Sequence, residues 1–134
     1  MYMEWTESYS TGIARFDDQH KKLFALVNAL LDGIKDERRK EAMGEVLDEL
    51  VQYTVSHFSE EEKEMMAHNY SGYDEHKKEH DELTSKVRDF RTRYKAGTAL
   101  MTVELLGFIV NWLKTHIAGT DKKYAPFLIE KGVA

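Results

Sequence analysis

The chain has 134 residues, 42% of them hydrophobic, which suits one compact domain spanning residues 1–134. Net charge is -5, and the basic residues are interleaved with acidic ones, which argues against a phosphate-backbone partner and hence against nucleic acid. With no cysteine, neither a disulfide frame nor a thiolate metal site is available; a reducing, cytoplasmic setting is expected, and any metal must sit on nitrogen and oxygen.

The amino terminus, MYMEWTESYSTG, lacks a basic segment followed by an apolar run. The longest apolar stretch, LLGFIVNWL, falls far short of the ~20 residues a membrane span requires, so no membrane insertion is expected. A single proline, Pro126, and abundant Leu, Glu, Lys and Ala favour helix nearly throughout.

A first helix is expected from Asp17 or Asp18, either a plausible cap, to about Asp36, with a stripe on His20, Phe24, Val27, Leu31 and Ile34. A second stripe runs Met43, Leu47, Leu50, Thr54, His57, Glu61. After a loop at NYSG, a third runs His76, His80, Leu83, Val87, Phe90, Tyr94. Gly97 and Thr98 mark a turn, and the fourth stripe, Thr102, Leu106, Ile109, Leu113, His116, is expected to stop at AGTD. Short connections between consecutive helices predict an all-α fold, an antiparallel up-down-up-down four-helix bundle with an N-terminal arm.

That topology brings the histidines together. Counted outward from turns near Arg38 and Gly97, His20 lies 18 residues away, His57 19, His80 17 and His116 19. At ~1.5 Å rise per residue all four sit roughly 26 to 29 Å up, in one layer. His57 and Glu61 are four apart, as are His76 and His80, so each pair shares a helix face. His116 and Asp121 are five apart, too far for one face of a continuous helix, but Gly119 would let the chain turn back and return Asp121 over the layer.

Taken singly, an HxxxH or HxxxE pair is usually a solvated helix edge. Together, seven such groups inside a bundle would cost on the order of 1 to 3 kcal/mol for each left unpaired, and a bound metal supplies a common partner. His68, near a helix end beside Asn69, reads as a surface residue rather than a ligand; Glu60, Glu62 and Glu64 read as a solvated acidic face. Seven ligands exceed the needs of one four-coordinate zinc, whereas two octahedral ions offer about twelve positions. Five imidazoles, two bridging carboxylates and a bridging oxide or hydroxide leave about one position open, room for a small diatomic ligand. Such donors suit iron, and also zinc, copper or manganese.

The ordered set DDQH, HFSEEE, HKKEH and WLKTHIAGTD resembles the hemerythrin family, in the single-domain form called bacteriohemerythrin. The resemblance covers nearly the whole chain, including Trp5 and the arm before His20. It implies a non-haem di-iron centre, oxo- or hydroxo-bridged, that binds dioxygen reversibly. One iron would take His76, His80 and His116, the other His20 and His57 with an open position, and Glu61 and Asp121 would bridge. Trp112, Leu113, Phe58 and Ile117 would wall the oxygen pocket and exclude water, beside their ordinary role in the core. Two departures from the family pattern stand out: YSGY lacks a proline that often follows the tyrosine, and Phe16 replaces an aliphatic before DDQH. Neither is expected to touch a ligand.

The resulting expectation is an oxygen-storage or oxygen-delivery protein, with dioxygen as ligand and an oxygen-consuming enzyme as recipient, acting as a monomer, and not itself an enzyme. An oxidase of the carboxylate-rich di-iron class would carry two Glu-x-x-His motifs on inward helix faces, and the sequence contains none. A sensing module, a di-iron peroxidase or a nitric oxide reductase at the same centre are the competing readings, with iron storage the least favoured.

Overall fold

The structure, a computed structural model, describes residues 2–36, 38, 42–98, 100 and 102–134. Helix α1, Ala14–Lys35, starts a turn ahead of the aspartates expected to cap it. Asp17 lies inside that first turn, where its carboxylate accepts hydrogen bonds from Thr11 N at 2.8 Å, Thr11 Oγ1 at 2.9 Å and Ser10 Oγ at 2.6 Å. Its charge faces the positive end of the helix while it ties down the N-terminal arm, so it serves as an anchor and not as a cap. The arm then runs along α1. Trp5 and Tyr9 pack on Phe24 with ring centroids 5.8 and 5.2 Å away. Asn28 exchanges two hydrogen bonds with the Met3 backbone, at 2.8 and 2.9 Å.

Helices α2, Met43–Ala67, and α3, Tyr73–Lys95, follow the expected stripes. Both end in a residue with a left-handed backbone, Asn69 (φ 56°) and Gly97 (φ 78°). Each forms the paired reverse bonds of a Schellman motif: Tyr70 N to Met65 O at 2.9 Å with Asn69 N to Met66 O at 3.2 Å, and Thr98 N to Arg93 O at 2.9 Å with Gly97 N to Tyr94 O at 3.1 Å. Glycine and asparagine enter this region at least cost, which is why NYSG and the Gly97 segment reverse the chain.

Helix α4, Val103–Thr115, corrects one stripe residue. Thr102 is not a core position but the exposed N-cap, its hydroxyl accepting from Leu105 N at 3.1 Å. The chain also does not stop at AGTD. It passes through a π-helical turn, His116–Asp121, directly into α5, Lys122–Glu130, so that α4, the turn and α5 form one uninterrupted rod over residues 103–130. A π turn admits an extra residue without breaking the backbone bonding, so Gly119 is not a terminator.

The four rods make an antiparallel all-α bundle, and among the described residues there is no strand. Its apolar interior comes in two clusters. The larger includes Leu23, Phe24, Phe58, Leu83, Leu113 and Ile117; the smaller is Ile13, Phe16, Met65, Tyr124, Ala125 and Leu128. On three rods a buried ligand-type residue marks the boundary between the two: Phe16, His20, Leu23 on α1; Phe58, Glu61, Met65 on α2; Leu113, His116, Tyr124 on the last. A polar layer is thus closed above and below by apolar side chains. Among the described residues, no helix is long and apolar enough to cross a membrane.

Candidate metal centre

All seven residues singled out by spacing and resemblance meet in that layer. His20, His57, Glu61, His76, His80, His116 and Asp121 are each at most 2% exposed. The i,i+4 pairs come from ordinary α geometry on α2 and α3. His116 and Asp121 come from the π turn: in an α-helix five residues sweep about 500°, leaving them about 140° apart, whereas i to i+5 bonding places them one above the other. Asp121 therefore reaches the layer by a bulge within the helix and not by a returning loop.

The five imidazoles turn their Nε2 atoms toward the two carboxylates. Asp121 Oδ1 lies 2.8 Å from His76 Nε2 and 3.0 Å from His116 Nε2, while its Oδ2 lies 3.0 Å from His20 Nε2. Glu61 Oε1 lies 3.3 Å from His57 Nε2 and 3.2 Å from His80 Nε2, and Glu61 Oε2 lies 3.3 Å from His20 Nε2. His80 and His116 bring their Nε2 atoms to 3.0 Å.

Some of these approaches, His20 Nε2 to Glu61 Oε2 and His80 Nε2 to His116 Nε2, are aligned as hydrogen bonds, but most of the closeness is not hydrogen bonding. Glu61 Oε1, His76 Nε2 and both oxygens of Asp121 are buried without an aligned hydrogen-bond partner. A set of buried polar atoms that crowd one another and yet stay unpaired is the arrangement expected of donors aimed at cations between them. The donors divide into two overlapping groups, each within a 4.8 Å span: Glu61, His76, His80, His116 and Asp121, and His20, His57, Glu61 and Asp121. The two carboxylates belong to both.

Burial alone would lower the pKa of His20, but the adjacent Asp121 and Glu61 carboxylates outweigh it and raise it to about 10. His80 is lowered by burial and raised further by Glu61 and Glu62, to about 9. Burial pushes the carboxyls of Glu61 and Asp121 up; the surrounding imidazoles more than reverse this and hold both well below the usual carboxylate range. Tyr124 is driven well above the ordinary phenol value by burial and by the two carboxylates.

Outer groups orient three of the five imidazoles. His57 Nδ1 donates to Gln19 Oε1 at 2.5 Å, and Gln19 Nε2 donates in turn to Glu60 Oε2 at 2.8 Å. His80 Nδ1 donates to Glu62 Oε2 at 2.8 Å and His116 Nδ1 to Glu79 Oε1 at 2.9 Å. Such bonds fix which nitrogen faces the centre. Glu60 and Glu62 are therefore not simply part of a solvated face: their side chains reach sideways from α2 to partners on α1 and α3. Glu64 pairs with Arg15 at 3.1 Å, outside the layer.

Sequence reasoning also passed over Tyr124. Its ring packs near-parallel to His76, with centroids 5.4 Å apart, and its hydroxyl donates to Glu61 Oε2. Phe16, expected to touch no ligand, packs edge-on to His57 at 6.2 Å. The structure leaves His68 outside the layer, at the end of α2, 3.6 Å from Glu64. Phe58 lies flat on His80 at 3.7 Å and Trp112 on His116 at 4.4 Å, with Leu113 and Ile117 buried beside them.

The model of the hemerythrin HHE cation binding domain matches residues 11–128. The chain is 39% identical over 127 residues to a bacteriohemerythrin of Methylococcus capsulatus, covering 94% of this chain and 96% of that one. It is 33% identical over 120 residues to a myohemerythrin of Sipunculus nudus, covering 90% and 88%. A solved wild-type hemerythrin superposes with a TM-score of 0.89 at 38% identity, over 96% of this chain and 98% of that one. With this match along almost its full length and a buried His/Glu/Asp cluster at its centre, the chain belongs to the hemerythrin family.

Proposed function

We propose that the seven buried side chains hold two iron ions and that the pair binds dioxygen reversibly, for storage or delivery. The observation that carries this reading is the sharing of Glu61 and Asp121 between the two donor groups, since a carboxylate common to both is placed to bridge adjacent cations. In it, His76, His80 and His116 serve one ion and His20 and His57 the other, so the second ion has one protein ligand fewer and a position for a small ligand. Donor type admits several transition metals; membership of the hemerythrin family, one of oxygen-binding proteins and not of enzymes, favours iron. When bound, two ferrous ions supply the electrons on which reversible oxygen binding draws.

The chain's own residues do the rest. Three of the five imidazoles, His57, His80 and His116, are hydrogen-bonded through Nδ1, which keeps their Nε2 aimed inward. Phe58, Trp112, Leu113 and Ile117 form the wall that limits water at the centre, where water or protons would release bound oxygen and leave the iron oxidised. The test is oxygen uptake by iron-loaded protein through repeated air and nitrogen cycles, followed by visible absorption. The reading expects colour that appears and fades over many cycles. Steady oxygen consumption with a supplied electron donor would instead mark an oxidase or reductase.

A further inference from the structure

The π turn must be held in register if His116 and Asp121 are to face the same way, and one side chain on a neighbouring helix bonds to both ends of it. Glu79 of α3 accepts from His116 Nδ1 at 2.9 Å, at the first residue of the turn. It also accepts from Thr120 Oγ1 through both carboxylate oxygens, at 3.0 and 3.1 Å, one residue before Asp121 closes the turn. Between these two points Ala118 and Gly119 are exposed, and nothing lies within 4 Å of where a Cβ on Gly119 would sit. The extra residue of the π turn therefore bulges toward solvent while its ends are tied to α3. Because Glu79 falls between His76 and His80 on α3, the helix that carries two donors also sets the position of two more.

We infer that Glu79 and Thr120 form a positioning clamp that holds the His116–Asp121 turn in π geometry and so places both donors in the metal layer. The inference rests on the two-ion reading for its effect on metal, but not for its effect on the turn. Glu79 is more than an orienting acceptor for one histidine. If it were only that, Thr120 would be dispensable. The clamp makes Thr120 matter as well, since Thr120 is the point through which Glu79 acts on Asp121.

Four variants of the full chain separate these roles: Glu79→Ala removes the clamp, Thr120→Val removes its Asp121 end, and Glu79→Gln and Thr120→Ser keep the acceptor and the hydroxyl. Two measurements apply. The first is amide hydrogen exchange across residues 117–122 in protein stripped of metal with chelator. The second is the number and affinity of Co2+ ions bound, measured by competition with a chelator. We expect Glu79→Ala and Thr120→Val to exchange roughly 3- to 10-fold faster in the turn, as loss of one or two hydrogen bonds implies. Glu79→Ala should weaken Co2+ binding roughly 10- to 100-fold, the usual cost of losing an outer-shell partner. Thr120→Val should weaken it by a smaller factor, and Glu79→Gln and Thr120→Ser should stay close to the parent in both measurements. The clamp is overturned if Thr120→Val matches the parent in exchange and affinity while Glu79→Ala is weakened, or if Glu79→Ala changes neither. A parent that binds fewer than two Co2+ ions would contradict the two-ion reading alone, with the exchange comparison still deciding the clamp.

Discussion

His76 Nε2 lies 2.8 Å from Asp121 Oδ1, and both atoms are buried without an aligned hydrogen-bond partner. Two polar atoms this close gain little from each other in such an orientation, and their placement makes sense if both address a cation. His76→Ala should therefore lose iron, measured as metal per chain by elemental mass spectrometry. His68→Ala, altering a partly exposed residue outside the layer, should retain it. Equal iron content in the two variants would overturn the ligand assignment.

Tyr124→Phe deletes a hydroxyl and leaves the ring packed between His76 and Phe16. The hydroxyl donates to a buried carboxylate of Glu61. Removing a hydrogen bond to a charged group costs about 1.5 to 3 kcal/mol, so urea unfolding of the chelator-treated variant should show a loss of that order. A midpoint indistinguishable from the parent would mean that Glu61 does not depend on this donor.

Leu113→Ala should open space next to the imidazole layer, since Leu113 is 2% exposed and sits one turn before His116. The cavity should lower stability by about 2 to 5 kcal/mol. It should also admit water, so the oxygenated colour of the iron-loaded variant is expected to decay several-fold faster than that of the parent. Unchanged decay at a confirmed loss of stability would show that this side chain fills the core without shielding the centre.

The pH dependence of chelator-treated protein follows from two opposite shifts. His20 and His80 are raised from 6.5 to about 10 and about 9, so the stability they contribute is fully present below about pH 6.5 and is lost as pH rises through those values. Glu61 and Asp121 are lowered, so theirs is present above the ordinary carboxyl values of 4.5 and 3.8 and is lost as pH falls below them. Thermal midpoints should peak between about pH 5 and 6.5 and decline on both sides. A midpoint that climbs steadily to pH 9 would contradict the charge balance of the layer.

Periodicity carried most of this architecture. The stripes from His20 to Leu31, Met43 to Glu61 and His76 to Phe90 are buried as spacing predicts, because each side of an amphipathic helix is decided locally. What spacing misses is anything set between helices. Gln19, Glu62 and Glu79 lie beside the stripes, and only the packing of neighbouring rods shows that their long side chains bend across to imidazoles. The π turn is missed for a different reason: it has no composition of its own, and a glycine followed by threonine and aspartate reads equally as a stop. Thr102 fits a stripe by number alone, yet at a helix start its hydroxyl is worth more to the backbone than its methyl is to the core.

The most direct test of the central claim is anomalous diffraction at the iron edge from crystals of iron-loaded protein. The account predicts two adjacent peaks flanked by Glu61 and Asp121, one nearest His76, His80 and His116 and the other nearest His20 and His57. A single peak, or peaks outside this layer, would contradict it.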